Sequence, residues 1–210
     1  MNLGKQVAGA SALAAAAYAM ALMKLGVSFP ILPFLKFDFA EIPDTLSFLL
    51  FGWKMGLLTA VAHWLALLIN LSQLTLAPPG VPQLMKLLAV LSMFVGLAAA
   101  QKLFARLHDE KKKAIGYTIL GAITRTLIMA PIVFALYYIL LPTVYLPFAK
   151  KMLTAAGFAV EGDFLIASMM TLLTSIFNAL HAILIIPISY SIRAAVVRAI
   201  RPFVAQPQSR

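Results

Sequence analysis

Apolar positions along the chain form six segments, separated by polar, charged or proline-containing stretches. The segments cover about 7–26, 44–53, 55–72, 83–105, 115–141 and 164–200. Several apolar runs exceed the roughly 18 residues that indicate a membrane-spanning helix. The pattern therefore predicts an all-α integral membrane protein, with six transmembrane helices forming a single membrane domain over 1–210.

The connection between the first two segments differs from the short, polar connections that membrane proteins usually have. It covers about 27–43 and carries four phenylalanines and three prolines. The prolines limit the conformational freedom that is lost when such a segment closes over a surface. We therefore predict a long lid loop here, followed by a short second helix capped by Asp44, and a second long connection over 142–163.

Composition and charge placement extend this picture. Hydrophobic residues make up 62% of the 210 positions and charged residues 11%, a balance that excludes a soluble globular domain. The net charge of +10 does not indicate nucleic-acid binding, because the basic residues lie at segment ends. One side of the predicted topology carries Lys5, Lys54, Lys102, Arg106, Lys111, Lys112, Lys113, Arg193, Arg198 and Arg201, and the other carries Lys24, Lys36, Lys150 and Lys151. The positive-inside rule then predicts cytoplasmic termini, with the lid and the 142–163 connection facing outward.

The first segment has an alternative interpretation. Lys5, an apolar stretch and Ala19-Met20-Ala21 together also fit a cleavable secretory signal peptide. Its removal would leave five helices and would abolish the charge asymmetry.

Several short motifs carry a resemblance to a known family. They are the proline- and phenylalanine-rich run 33–38 with Ile42-Pro43, the turn 48–52, the run 140–142, and Phe177-Asn178. On these motifs the chain resembles the S components of energy-coupling-factor (ECF) vitamin transporters, and most closely the riboflavin-specific ones. The resemblance implies a six-helix subunit of the prokaryotic cell membrane that captures riboflavin from outside as a transported ligand, without a cofactor.

The resemblance also implies partners: a T-component membrane protein and two ATP-binding-cassette ATPases. The chain has no Gly-x-x-x-x-Gly-Lys-Ser/Thr phosphate loop, as expected if the ATPases are separate proteins. Small residues let helices approach closely in lipid, and the family has an Ala-x-x-x-Ala pair on its first helix at the T-component contact. The predicted partner-contact residues are Ala8, Ala10, Ala12, Ala14 and Ala16, with packing inside the chain as the alternative.

Polar residues at membrane depth indicate where a ligand would bind. Asn178 and His181 are three residues apart and so share a helix face, where they suit the carbonyl and imine edges of a flat heterocycle. A hydrogen bond between helices is the alternative. The predicted substrate-binding residues are Phe34, Leu35, Lys36, Asp38, Lys86, Tyr137, Asn178 and His181, with Asn70 and Gln73 as weaker candidates.

Three of these positions depart from the riboflavin family, which has lysine at the position of His181 and asparagines where this chain has Tyr137-Tyr138 and Lys86. Another flat or small vitamin is therefore the alternative ligand. Tyr137 and Tyr138 fit either a pocket wall or an aromatic belt at the membrane interface. Lys86 fits either a ligand contact or snorkelling to the surface.

Other charged residues have competing structural roles. Lys36 is expected to pair with Asp38 or Glu41 and so fix the lid. Arg125 lies about ten residues inside the fifth segment, where charge is costly, and is expected to snorkel, contact the T component or bind ligand. No His-Glu-x-x-His motif or clustered carboxylates are present, so we predict neither a catalytic nor a metal site. A membrane enzyme, a channel and a scaffold are the rival classes.

Overall fold

The computed structural model describes residues 2–69 and 78–204, with side chains up to residue 199. In chain order the elements are α1 (Leu3–Leu22), β1 (Gly26–Ser28), β2 (Lys36–Asp38), α2 (Glu41–Phe51), α3 (Trp53–Ile69), α4 (Val81–Leu103), α5 (Glu110–Ala135, continued by a π-helical turn, Leu136–Leu140), α6 (Pro142–Ala155) and α7 (Asp163–Val204). The predicted end of the third helix at residue 72, and the candidates Asn70 and Gln73, lie outside the described residues.

The chain is a mostly helical membrane protein. Three helical segments are long and apolar enough to cross a membrane, by length and composition: Val81–Leu103, Glu110–Leu140 and Asp163–Ala199. α5 packs between α4 and α7, and α1 to α3 pack beside them. The number of spans remains a prediction, since α2 has 11 residues and α3 has 17 in the described part of the chain.

The segment 27–43 contains two short strands that the sequence did not predict, and its role as a lid remains a prediction. Gly26 pairs with Asp38 and Ser28 with Lys36, which makes an antiparallel hairpin of two short strands. The backbone N–H of Phe29 then donates to the carbonyl of Leu35 and extends the pairing. α2 begins at Glu41 rather than at Asp44, so the hairpin leads directly into a helix.

The predicted connection 142–163 is also corrected, because most of it is helical. Proline fits the first turn of a helix, where its missing N–H needs no partner, and Pro142 occupies that position in α6. Just before it, the N–H of Leu141 donates to the carbonyl of Leu136 in the wider spacing of the π-helical turn. α6 thus folds back against this turn and against α7.

Two apolar clusters divide the core along the bundle. One lies under the hairpin and includes Phe29, Leu32, Met129 and Phe177. The other lies toward the opposite end of the helices, between α2, α4, α5 and α7. Beside the second cluster, glycine at position 96 lets α4 approach α5, since a Cβ there would overlap the Thr124 side chain and the Leu120 backbone. The polar residues of the bundle that are described next lie beneath the hairpin.

Candidate ligand-binding cavity

A cavity of about 520 Å³ lies under the hairpin, hereafter the hairpin cavity. Its size falls in the range of small-molecule sites in proteins, roughly 300–1,000 Å³. The walls from α4, α5, α7 and the π-helical turn are mainly apolar and include Met85, Ala89, Met129, Val133, Leu136 and Phe177. Such a cavity suits a ligand with a large apolar or aromatic surface and a few polar groups.

The hairpin and α6 together cover the cavity. Phe34, in the hairpin turn, packs edge-on against Phe148 of α6, with ring centroids 5.0 Å apart. Phe37 on β2 packs against Phe177 of α7 at 5.1 Å. Both the tip and the second strand of the hairpin are therefore held by aromatic contacts, one to each helix.

One end of the cavity is formed by a buried ion pair between α2 and α5. The two Nη groups of Arg125 donate to the two carboxylate oxygens of Glu41, at 2.5 and 3.2 Å. Each residue is 1% exposed. The pair explains how a charge is accommodated deep in the fifth segment, since a buried charge needs a counter-charge and satisfied hydrogen bonds.

The same guanidinium holds the two polar residues of α7. Its Nε–H donates to Oδ1 of Asn178 at 3.0 Å, and Nη2 lies 3.1 Å from Nδ1 of His181. Arginine has no acceptor, so Nδ1 of His181 accepts and the imidazole proton is on Nε2. That Nε2–H donates to the backbone carbonyl of Asp38 at 3.3 Å, which joins the cluster to the hairpin.

A second ion pair lies near the hairpin, where Nζ of Lys86 on α4 is 2.5 Å from Oδ2 of Asp38. Both side chains are about a quarter exposed (23% and 26%). This contact corrects two expectations, because Lys86 does not extend to the surface unpaired and Lys36 is not the partner of Asp38 or Glu41. Lys36 lines the cavity and forms no ion pair with the residues that the structure describes.

All eight predicted substrate-binding residues line the hairpin cavity: Phe34, Leu35, Lys36, Asp38, Lys86, Tyr137, Asn178 and His181. That they bind a substrate remains a prediction. Tyr137 and Tyr138 lie in different environments. Tyr137 is buried beside Tyr145 in the cavity lining. Tyr138 packs against Phe134 and Phe164, outside the lining. Burial raises the pKa of Tyr145 on α6, so its hydroxyl stays protonated and remains a donor.

Sequence reasoning missed or underweighted several cavity residues, among them Glu41, Arg125, Tyr145, Phe148 and Thr174. Tyr145 and Phe148 lie in the segment that was predicted to be a connection. Glu41 was assigned to pairing within the lid. A signal was present for Arg125, because a mid-helix charge requires a buried counter-charge and the chain has only seven acidic residues.

The alanines of α1 lie on two faces. Ala10 and Ala14 are buried, and the carbonyl of Ala10 accepts a hydrogen bond from Thr59 of α3 at 3.2 Å. Their predicted partner contact is therefore corrected, since these two residues pack inside the chain. Ala8, Ala12 and Ala16 are exposed, and their contact with a partner remains a prediction.

Within residues 2–69 and 78–199, no group of three or more His, Asp or Glu side chains could hold a metal ion.

No family model and no curated protein sequence matches the chain. A solved structure that is similar is the S component of a bacterial ECF transporter, with 18% sequence identity, a TM-score of 0.55, and coverage of 98% of this chain and 100% of that chain. This similarity shows that the chain has the fold of an ECF transporter S component.

Proposed function

We propose that the chain is the substrate-capture subunit of an ECF-type vitamin importer, with riboflavin as its substrate. The observation that carries the proposal is the covered hairpin cavity, with apolar walls and a hydrogen-bonding end, in a fold similar to that of an S component. Capture occurs from the outside beneath the hairpin, and release inward requires a T component and two ATPases. Both termini are then cytoplasmic, as the distribution of basic residues indicates.

The two ion pairs of the cavity favour a neutral ligand. Glu41 is matched by Arg125 and Asp38 by Lys86, so each pair contributes no net charge. A ligand carboxylate would have to compete with these paired groups, and burying an unmatched charge is costly. Riboflavin is neutral and has a flat aromatic ring system that the rings of Phe34, Tyr137 and Phe177 could contact.

A different vitamin is the alternative, and one observation favours it. Lys36 lines the cavity without an ion-pair partner among the described residues, so a singly negative ligand would find a cation there. Such a ligand would bind with its charged group near the hairpin and its apolar part against the walls. The same fold and partners would serve this substrate.

The test is a visible absorbance spectrum of the detergent-purified protein, followed by a riboflavin fluorescence titration and a parallel series of other vitamins. We expect a flavin spectrum or saturable quenching at nanomolar riboflavin. Asn178→Ala should weaken binding about five- to 150-fold, because leaving a buried polar group of the ligand without its partner costs about 1–3 kcal/mol. Ser191→Ala is the control on the same helix, since this exposed hydroxyl bonds only to its own helix.

The outcomes separate the alternatives. Binding of another vitamin without riboflavin would keep the transporter function and replace the substrate. No binding of any vitamin would contradict the capture function. Equal affinity of Asn178→Ala and wild type would remove Asn178 from the site.

A further inference from the structure

We propose that Glu41 and Arg125 are positioning residues which turn the amide N–H groups of Asn178 toward the ligand, so that the cavity selects a ring edge made of hydrogen-bond acceptors. The inference rests on the proposed capture function and specifies the chemical class of its substrate. The ligand edge would be an unprotonated ring nitrogen, alone or beside a carbonyl oxygen.

The first step is that Arg125 has no donor left for a ligand. A guanidinium has five N–H groups. Nε–H is used by Asn178, the Nη1 group by Glu41 and the sulfur of Met93 at 3.9 Å, and the Nη2 group by Glu41 and His181. Although Arg125 lines the cavity, it does not offer an anion a bidentate site. Its role is to hold its neighbours.

The second step concerns the orientation of Asn178. Its Oδ1 accepts from Nε–H of Arg125, a charge-assisted bond that is stronger than a neutral one. If the amide were rotated by 180°, its N–H groups would face the N–H of the guanidinium, and this hydrogen bond would be lost because neither group is an acceptor. Nδ2 makes no hydrogen bond with any described residue, and Asn178 lines the cavity. The ion pair therefore fixes Nδ2, with its two donors, as the group available to a ligand.

The third step is that Glu41 keeps this arrangement in place. Its carboxylate binds both Nη groups and so fixes the plane of the guanidinium. The same plane sets His181, whose Nδ1 must accept from Nη2 and whose Nε2–H therefore points to the hairpin carbonyl of Asp38. Neither group of His181 is then free for the ligand. At this end of the cavity, selection falls to the Asn178 amide.

A ligand series tests the proposed selection. Riboflavin is compared with its 1-deaza and 5-deaza analogues, which keep the shape of the ring system and replace one acceptor nitrogen with C–H. The wild type should bind at least one analogue about tenfold more weakly than riboflavin, as expected for one lost buried hydrogen bond.

The double variant Glu41→Leu/Arg125→Met separates positioning from structural support. Replacing a buried ion pair with apolar residues often leaves stability unchanged or raises it, so the variant should fold. The affinities of the double variant for riboflavin and for the analogue should differ by no more than about twofold. Ser191→Ala should keep the wild-type ratio of these two affinities. Unchanged discrimination in the double variant would overturn the proposal.

A measurement without ligand tests the network itself. In ¹⁵N-histidine NMR spectra of the purified wild type, His181, assigned by its loss in His181→Gln, should show a neutral ring protonated at Nε2. A ring protonated at Nδ1 would overturn the proposal. Wild-type binding of riboflavin with equal affinity for all analogues would overturn it while leaving the capture function intact. Failure to bind any vitamin would overturn both.

Discussion

Lys86 of α4 and Asp38 of the hairpin are joined across the side of the cavity, with Nζ and Oδ2 2.5 Å apart. Asp38 is fixed from two further directions. Its Oδ1 accepts from the N–H of Ala40 at 2.8 Å, and its carbonyl accepts from His181. Asp38 therefore connects the second strand of the hairpin to α4, to α7 and to the start of α2. The base of the hairpin is anchored, and Phe34 lies at its far tip.

We predict that this ion pair controls how long a ligand is retained. Lys86→Gln and Asp38→Asn should each raise the ligand dissociation rate several-fold in stopped-flow fluorescence, because the hairpin loses an anchor. The melting temperature should change little, since partly exposed pairs contribute about 0.2–1 kcal/mol. The double variant should be no faster than either single variant, because one interaction is removed in all three.

The same series distinguishes anchoring from a direct ligand contact by Lys86. If Lys86 bound the ligand itself, Lys86→Gln would lower affinity far more than Asp38→Asn, and the effects would add in the double variant. Additive effects of unequal size would contradict the anchoring role.

A second buried pair lies away from the hairpin cavity. Asp44 on α2 and His63 on α3 are 3.0 Å apart between Oδ2 and Nδ1, with side chains 2% and 3% exposed. We predict that Asp44→Ala or His63→Ala lowers the free energy of unfolding by about 1–3 kcal/mol, because each leaves a buried hydrogen-bonding group without its partner. Unfolding in denaturant, followed by tryptophan fluorescence in detergent, measures this.

The control is the double variant Asp44→Ala/His63→Ala, in which neither residue is left without its partner. It should be more stable than the sum of the two single losses implies, since the residues interact directly. Strict additivity would show that the two side chains stabilise the protein independently.

The sequence predicted which residues meet at the cavity better than it predicted how they interact. The spacing of Asn178 and His181 placed both on one helix face, and both line the cavity. Local spacing carries no information on a partner from another helix, and Glu41 and Arg125 are 84 positions apart. The charge of Arg125 showed that a partner was needed, but the choice of Glu41 depends on how α2 packs against α5.

The hairpin and α6 show why secondary structure was not predicted in two segments that contain it. The sequence predicts connections over both 27–43 and 142–163, and both segments contain prolines. Pro142 instead occupies the first turn of a helix, where proline is favoured. In the hairpin, Pro30 and Pro33 lie between the paired strands rather than within them, so no pairing hydrogen bond is lost. From the sequence alone, these prolines cannot be distinguished from prolines that end a helix or a strand, because the difference depends on tertiary contacts.

Close packing of α4 on α5 gives a third prediction. At Gly96 an added Cβ would overlap the Leu120 backbone, which cannot move without shifting α5. Gly96→Ala should therefore destabilise the protein by about 1–3 kcal/mol, the usual cost of overpacking. Gly4→Ala is the matched control, because the nearest atom at that helical position is 3.9 Å away. It should be neutral or stabilising, and equal losses in the two variants would contradict the packing argument.

The two faces of α1 give the last prediction, which rests on the proposed T component. Ala12 is exposed and Ala14 is 8% exposed against the neighbouring helices, although both are helical alanines two positions apart. Ala12→Leu should leave the melting temperature and ligand affinity unchanged but abolish co-purification with the T component, because a large side chain keeps the partner helix from approaching. Ala14→Leu should lower the melting temperature through overpacking inside the bundle. If Ala12→Leu co-purifies normally and transports its vitamin at the wild-type rate, the exposed alanine face of α1 is not the contact, and the partner must bind elsewhere on the helices.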